Sequence, residues 1–287
     1  MLFKKFLCSP SCKKIRFSSS IVHPSSSSML PKSKEKKIKI KNFEINYLKV
    51  GHGPHHVFCV PGMMGTIWSH FKKQIEGFDL NKFSLLIWDA PGYGKSIALD
   101  NSETLDECSR DANIAYEFMK TLQIPKYSLL GWSYGGCTSL LLASRHPHVV
   151  KKVVIWACST FVKPHELKYY YTLRDLNTWP PRTKEAMIKM YGEDNFRKKI
   201  EHMIAVREAI SEGYLGYCSS AQKIKCPTLI LHGGKDPIVD SSHLNYMRNL
   251  IKNSRTYLYP DGEHHIHSQF ADDFNKRVQE FLLEPVI

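Results

Sequence analysis

An α/β fold, a mostly parallel eight-stranded sheet flanked by helices and interrupted by a helical cap, is what three features of this sequence predict. From about residue 36, apolar runs of strand length alternate with helical patterns, the mark of parallel strands joined by crossover helices. Residues 160–222 break that rhythm with prolines, aromatics and mixed charge, and carry no strand pattern. The segment Lys126–Ser139, KYSLLGWSYGGCTS, runs a buried-strand pattern straight into a helical one through Gly131-Trp132-Ser133-Tyr134-Gly135.

Taken in order, Lys37–Ile40 and Ile45–Val50 alternate as two antiparallel strands with Asn42 near the turn. His56–Val60 is a short apolar run, followed by the loop Pro61-Gly62-Met63-Met64-Gly65 and a helix from Ile67 to about Phe78. Phe83–Asp89 reads as a strand, and a helix spans about Leu105 to Leu122. Tyr127–Leu130 and Cys137–Ala143 are the strand and helix on either side of Ser133, and Val150–Ala157 is the next strand. Residues 36–159 and 223–287 thus form the core, with the cap between them. An insertion at the sheet edge that carries the serine would sit over the site. The sheet resumes at Thr228–His232; a helix near His243–Ile251, a strand at Thr256–Pro260 and a helix from about Ser268 to Leu283 complete it.

The chain has 287 residues and a net charge of +13, which would suggest nucleic acid if it were spread over the body. It is not. Residues 1–40 hold ten Lys/Arg against the single acid Glu35, so nine of the net charges lie there. Residues 1–35 are basic, serine-rich and nearly acid-free, the composition of an organelle transit peptide, with Leu2, Phe3, Phe6 and Leu7 able to share a helical face opposite Lys4 and Lys5. A mitochondrial location is expected, with the cytoplasm as the alternative. The chain has no run of 18 apolar residues, so no membrane span is expected. Cys59, Cys137 and Cys158 fall inside apolar patterns as buried thiols. No metal or cofactor is expected from residue spacing.

A serine hydroxyl attacks a carbonyl only when a base takes its proton and a third group orients that base. The pattern G-x-S-x-G alone recurs by chance in about one chain in ten of this size, but its strand-to-helix setting is what a nucleophile elbow needs. Ser133 is therefore the candidate nucleophile. Asp236 follows the strand Thr228–His232 and would project from its carboxyl end, where ligands meet such sheets. Asp240, four residues on, suits the start of the next helix better. The base should follow the last strand, where Asp261-Gly262-Glu263-His264-His265-Ile266-His267 crowds three histidines. His264, two residues past Gly262, is the candidate; His265 reads as a loop-surface residue and His267 as a helix start. Backbone N–H groups of Met63 and Tyr134 are the candidate oxyanion donors.

The motifs PGMMGT (61–66), WDAPGYGKS (88–96), SLLGWSYGG (128–136), CPTLILHGGKDPIV (226–239) and DGEHHIHSQFADDFNK (261–276) resemble the α/β-hydrolase superfamily, and within it the biphenyl hydrolase-like (valacyclovir hydrolase) family. Pro61 stands, as in that family, where most relatives have His. The resemblance implies an α/β-hydrolase fold, a Ser133-Asp236-His264 triad and hydrolysis of small carboxylic esters; a monomer acting on a small-molecule ester is expected. Members that cleave α-amino-acid esters look like GWSDGG, with an acid beside the nucleophile. This chain has Tyr134 there, which is expected to face the pocket, contact the substrate and favour uncharged or aromatic acyl groups. The acids Glu166 and Asp175 of the cap are the alternative partners for an ammonium. A thioesterase or a carbon–carbon bond hydrolase would share the triad, and a low-turnover binding protein would share the fold. Ser133 excludes haloalkane and epoxide chemistry, which needs Asp at that position.

Overall fold

The computed structural model describes residues 34–99, 104–214, 216 and 218–285. The targeting leader expected at residues 1–35 therefore lies outside the described residues, except at its edge. There Glu35 accepts hydrogen bonds from Trp68 Nε1 at 2.8 Å and Asn46 Nδ2 at 2.9 Å. That carboxylate belongs to the folded body.

Two antiparallel strands open the fold, β1 (Lys36–Ile40) and β2 (Phe43–Val50), joined through Lys41 at φ 50°. Then come β3 (His55–Val60), α1 (Ile67–Gly77), β4 (Phe83–Trp88), the two-residue β5 (Ile97–Ala98) and α2 (Glu107–Thr121). β6 (Tyr127–Trp132), α3 (Tyr134–Arg145) and β7 (Val150–Trp156) follow. The cap supplies α4 (Pro164–Thr172), α5 (Pro181–Tyr191), α6 (Glu193–Ser211) and α7 (Cys218–Ala221), with no strand among its described residues. β8 (Thr228–Gly233), α8 (Ser242–Leu250), β9 (Ser254–Tyr259), α9 (Ile266–Gln269) and α10 (Ala271–Leu283) complete the chain.

The strands lie in the order β1-β2-β4-β3-β6-β7-β8-β9, parallel from β4 onward. The eight strands and their mostly parallel sense are as expected. The addition is β5, which pairs antiparallel with β2 through Phe43 and Ala98 and is too short to leave an alternating pattern. The closing helix also differs from expectation. It divides at Phe270 (φ −122°, ψ 45°), whose ring stacks on Tyr259 at 5.1 Å, giving α9 and α10 instead of one helix.

Both faces of the central strands are buried, because helices cover the sheet on each side. One face packs Phe58, Trp88 and Leu129 under Phe118 of α2 and Leu140 of α3. The other packs Leu130, Val154 and Trp156 under Phe71 of α1 and Phe274 of α10. Each such side chain contributes about 1.5–3 kcal/mol by leaving water. Cys59, Cys137 and Cys158 are buried, as their apolar settings predicted. No helix among the described residues is long and apolar enough to cross a membrane.

Candidate active site

The β6–α3 turn is forced by its glycines. A Cβ on Gly131 would overlap the Ser139 hydroxyl and the Gly135 carbonyl, and one on Gly135 would overlap the carbonyl oxygens of Val60 and Pro61. Strand and helix can therefore pass close enough to hold Ser133 at φ 53°, ψ −116°, a region L-residues seldom occupy. Ser133 precedes α3 and could cap it, yet its side chain makes no capping bond. The hydroxyl is not consumed by the helix. Ser133 is half-buried on the wall of a cavity of about 250 Å³, which it shares with His264 and Met63.

Asp236 leaves the end of β8 in a turn that saturates its carboxylate. Oδ1 accepts from the N–H groups of Ile238 (2.9 Å) and Val239 (3.0 Å), and Oδ2 accepts from His264 Nδ1 at 2.8 Å. The Asp236 side chain is 0% exposed. Burial pushes its pKa up, but the charge and hydrogen bond of His264, with Val239 N–H and His232, hold it below the ordinary carboxylate value. With Nδ1 carrying the proton toward Asp236, the lone pair of His264 lies on Nε2. Asp240 is elsewhere: its Oδ1 accepts from Ser242 N–H and Lys163 Nζ at the start of α8.

The histidine loop is pinned to the elbow strand through Trp132. Its indole N–H donates to the His264 carbonyl at 3.1 Å, and the rings of His264, His265 and His267 lie 5.4, 4.9 and 4.5 Å from it. His265 precedes α9 and is partly open to solvent as a loop-surface residue should be, but it also lines the cavity with Ser133 and His264, which the sequence did not predict. His267 is in α9 but is buried, and its Nδ1 accepts from Trp156 Nε1 at 3.0 Å. Burial holds its pKa well below the ordinary histidine value, so it serves as a neutral acceptor. His70 of α1 lines the same cavity and meets Trp132 edge-on at 4.2 Å. Sequence reading missed it, since one His on an amphipathic helix carries no signal.

The expectation for the Tyr134 side chain is corrected. It is 2% exposed and does not line the cavity; its hydroxyl donates to Asp111 Oδ2 at 2.7 Å. As the first residue of α3 it points back toward α2, since helical side chains lean toward the N-terminus. Burial pushes the Asp111 carboxyl up to about 7, with Arg110 opposing and Glu107 adding to the rise. Only the backbone N–H of Tyr134 stays at the elbow, in a first turn that has no internal acceptor for it. The cap acids do not replace it. Glu166 accepts from His243 Nε2 and Asp240 N–H away from the cavity, and Asp175 is exposed and not part of its wall. The cap gives the wall Tyr169, Tyr170, Trp179, Met187, Met203 and Arg207. Aromatics over the site were legible in the sequence; Arg207 was not.

A positive-φ serine at a strand-to-helix turn, in one cavity with a carboxylate-held histidine and under a helical cap, is the arrangement of a serine hydrolase of the α/β-hydrolase class. The chain belongs to the family described as serine aminopeptidase, S33, whose model matches residues 54–269. It is 35% identical over 250 residues to serine hydrolase BPHL of Mus musculus, covering 86% of this chain and 85% of that one. The Homo sapiens protein of the same name matches to the same extent. Among solved structures, 2-hydroxy-6-oxo-6-phenylhexa-2,4-dienoate hydrolase from Rhodococcus sp. strain RHA1 shares the fold, with TM-score 0.72 and 18% identity over 86% of this chain and 98% of that chain.

Proposed function

We propose that this serine hydrolase cleaves small carboxylic esters through Ser133, His264 and Asp236 by way of an acyl-enzyme. The observation that carries this reading is the 2.8 Å bond from His264 Nδ1 to a buried Asp236, with His264 and Ser133 on one cavity wall. In the first half-reaction the Ser133 Oγ attacks the ester carbonyl while His264 Nε2 takes its proton. The oxyanion receives the N–H groups of Met63 and Tyr134, and His264 returns the proton to the departing alcohol. In the second, His264 activates water, which releases the acid and regenerates Ser133. Asp236 stays ionised and stabilises the transient imidazolium. The cavity volume favours a small substrate.

The test is a fluorophosphonate probe followed by peptide mapping, alongside turnover of p-nitrophenyl butyrate and its thioester analogue. Labelling confined to Ser133, with faster turnover of the oxygen ester, is the expected result. An unlabelled Ser133 would overturn the mechanism, and a strong thioester preference would overturn the substrate class.

The basic, serine-rich leader supports a mitochondrial address. A reporter fused to residues 1–40 is expected in mitochondria; diffuse cytosolic signal would sink that assignment.

A further inference from the structure

The mechanism leaves one buried charge on the cavity wall without a task. Arg207 of α6 is 5% exposed and lines the cavity that holds Ser133 and His264. Its Nη1 donates to Ser159 Oγ at 3.0 Å, and its guanidinium lies 5.0 Å from the Tyr170 ring centre. Those contacts fix the plane of the group. A guanidinium stays protonated at any working pH, and its planar fork matches a carboxylate in two-point contact. Its field acts through a poorly solvated wall, so it reaches a ligand with less screening than a surface cation would. Met187, Met203 and Leu173 give the same cavity apolar surface. Glu263 is the one acid among the described lining residues, and it is half-buried on the histidine loop.

Resting on the ester-hydrolase reading above, we propose that the substrate carries a second, ionised carboxylate, which Arg207 binds while Ser133 attacks the ester. The chemical class is the half-ester of a short dicarboxylic acid, its methylene chain lying on the apolar wall. An α-amino ester presents the wrong sign of charge. Its ammonium would face Arg207, and neither Tyr134 nor the cap acids Glu166 and Asp175 reach the cavity. Arg207 is thus a specificity-determining residue, with no part in proton transfer.

The experiment compares mono-p-nitrophenyl glutarate with p-nitrophenyl valerate, which has a similar chain without the second charge. Wild type is expected to favour the half-ester in kcat/KM. Arg207→Met should lower that value for the half-ester by about tenfold or more, chiefly through KM, while changing the neutral ester less than about threefold. Arg207→Lys should recover part of the loss. Glutarate should inhibit wild type more strongly than valerate does, and Arg207→Met should erase the difference. A purely structural arginine would instead lower both esters together along with the melting temperature, and that pattern overturns the proposal. So does a wild-type preference for the neutral ester or for an α-amino ester sensitive to Glu263→Gln. If Arg207→Met fails to fold, the wild-type ester ratio and the glutarate inhibition still decide. Glutarate binding by calorimetry requires no turnover, so a failure of the ester-hydrolase reading is distinguishable from a failure of this one.

Discussion

Ser133→Ala is expected to reduce ester turnover by about 10⁴-fold or more, because the remaining triad members cannot supply a nucleophile. Stability should change little. The hydroxyl makes no capping bond to α3, and alanine inherits the φ of 53° without adding or relieving strain. What survives should be the small rate due to binding and the oxyanion donors alone. Stopped-flow release of p-nitrophenol together with a thermal melt checks both halves. Activity above about a hundredth of wild type with an unchanged melt would remove Ser133 from the chemistry, since a triad loss this mild is not seen.

The second large effect concerns the base. His264→Ala should fall as far as the serine variant, while His265→Ala keeps most activity because the bond to Asp236 comes from His264, although both rings line the cavity. His267→Ala should act differently again, lowering the melting temperature by removing the buried acceptor of Trp156 Nε1. If His265→Ala is the inactive variant instead, the loop register is off by one. Asp236→Asn should lose about 10⁴-fold by spoiling the His264 tautomer, and it carries a pH signature. The folded-state pKa of Asp236 lies below its unfolded value near 4. Its contribution to stability is therefore fully present above about pH 4 and is lost as pH falls through the depressed folded value. The melting-temperature gap between wild type and Asp236→Asn should be widest near neutral pH and shrink in that acidic window. A gap independent of pH would contradict the sign.

The candidate residues Ser133, Asp236 and His264 could be picked out because each occupies a backbone position that the sequence marks, after a strand and near glycines. The expectation for Tyr134 failed on side-chain direction. A motif fixes which backbone atom faces the site, but the rotation of α3 sends the side chain to Asp111, and Asp111 sits in an unremarkable helix 23 residues upstream. Arg207 was hidden for another reason. In the mixed-charge helix α6 it reads as one more solvent-facing arginine, and tertiary packing that includes Ser159 and Tyr170 takes it out of water. The split at Phe270 and the strand β5 are tertiary effects as well, set by a ring stack and a two-residue ladder.

The cap enters between β7 and β8, two strands that are neighbours in the sheet. Removing or exchanging it would leave the ladder between them unbroken, since Val153 to Trp156 still meet Thr228 to Leu231. The candidate residues Ser133, His264 and Asp236 and the loop of Met63 all lie outside the cap. A change of cap can thus alter what reaches the cavity while β7 stays paired with β8, provided the buried surface that Phe196, Ile200 and Ile204 of α6 share with Leu140 and Ile155 remains covered.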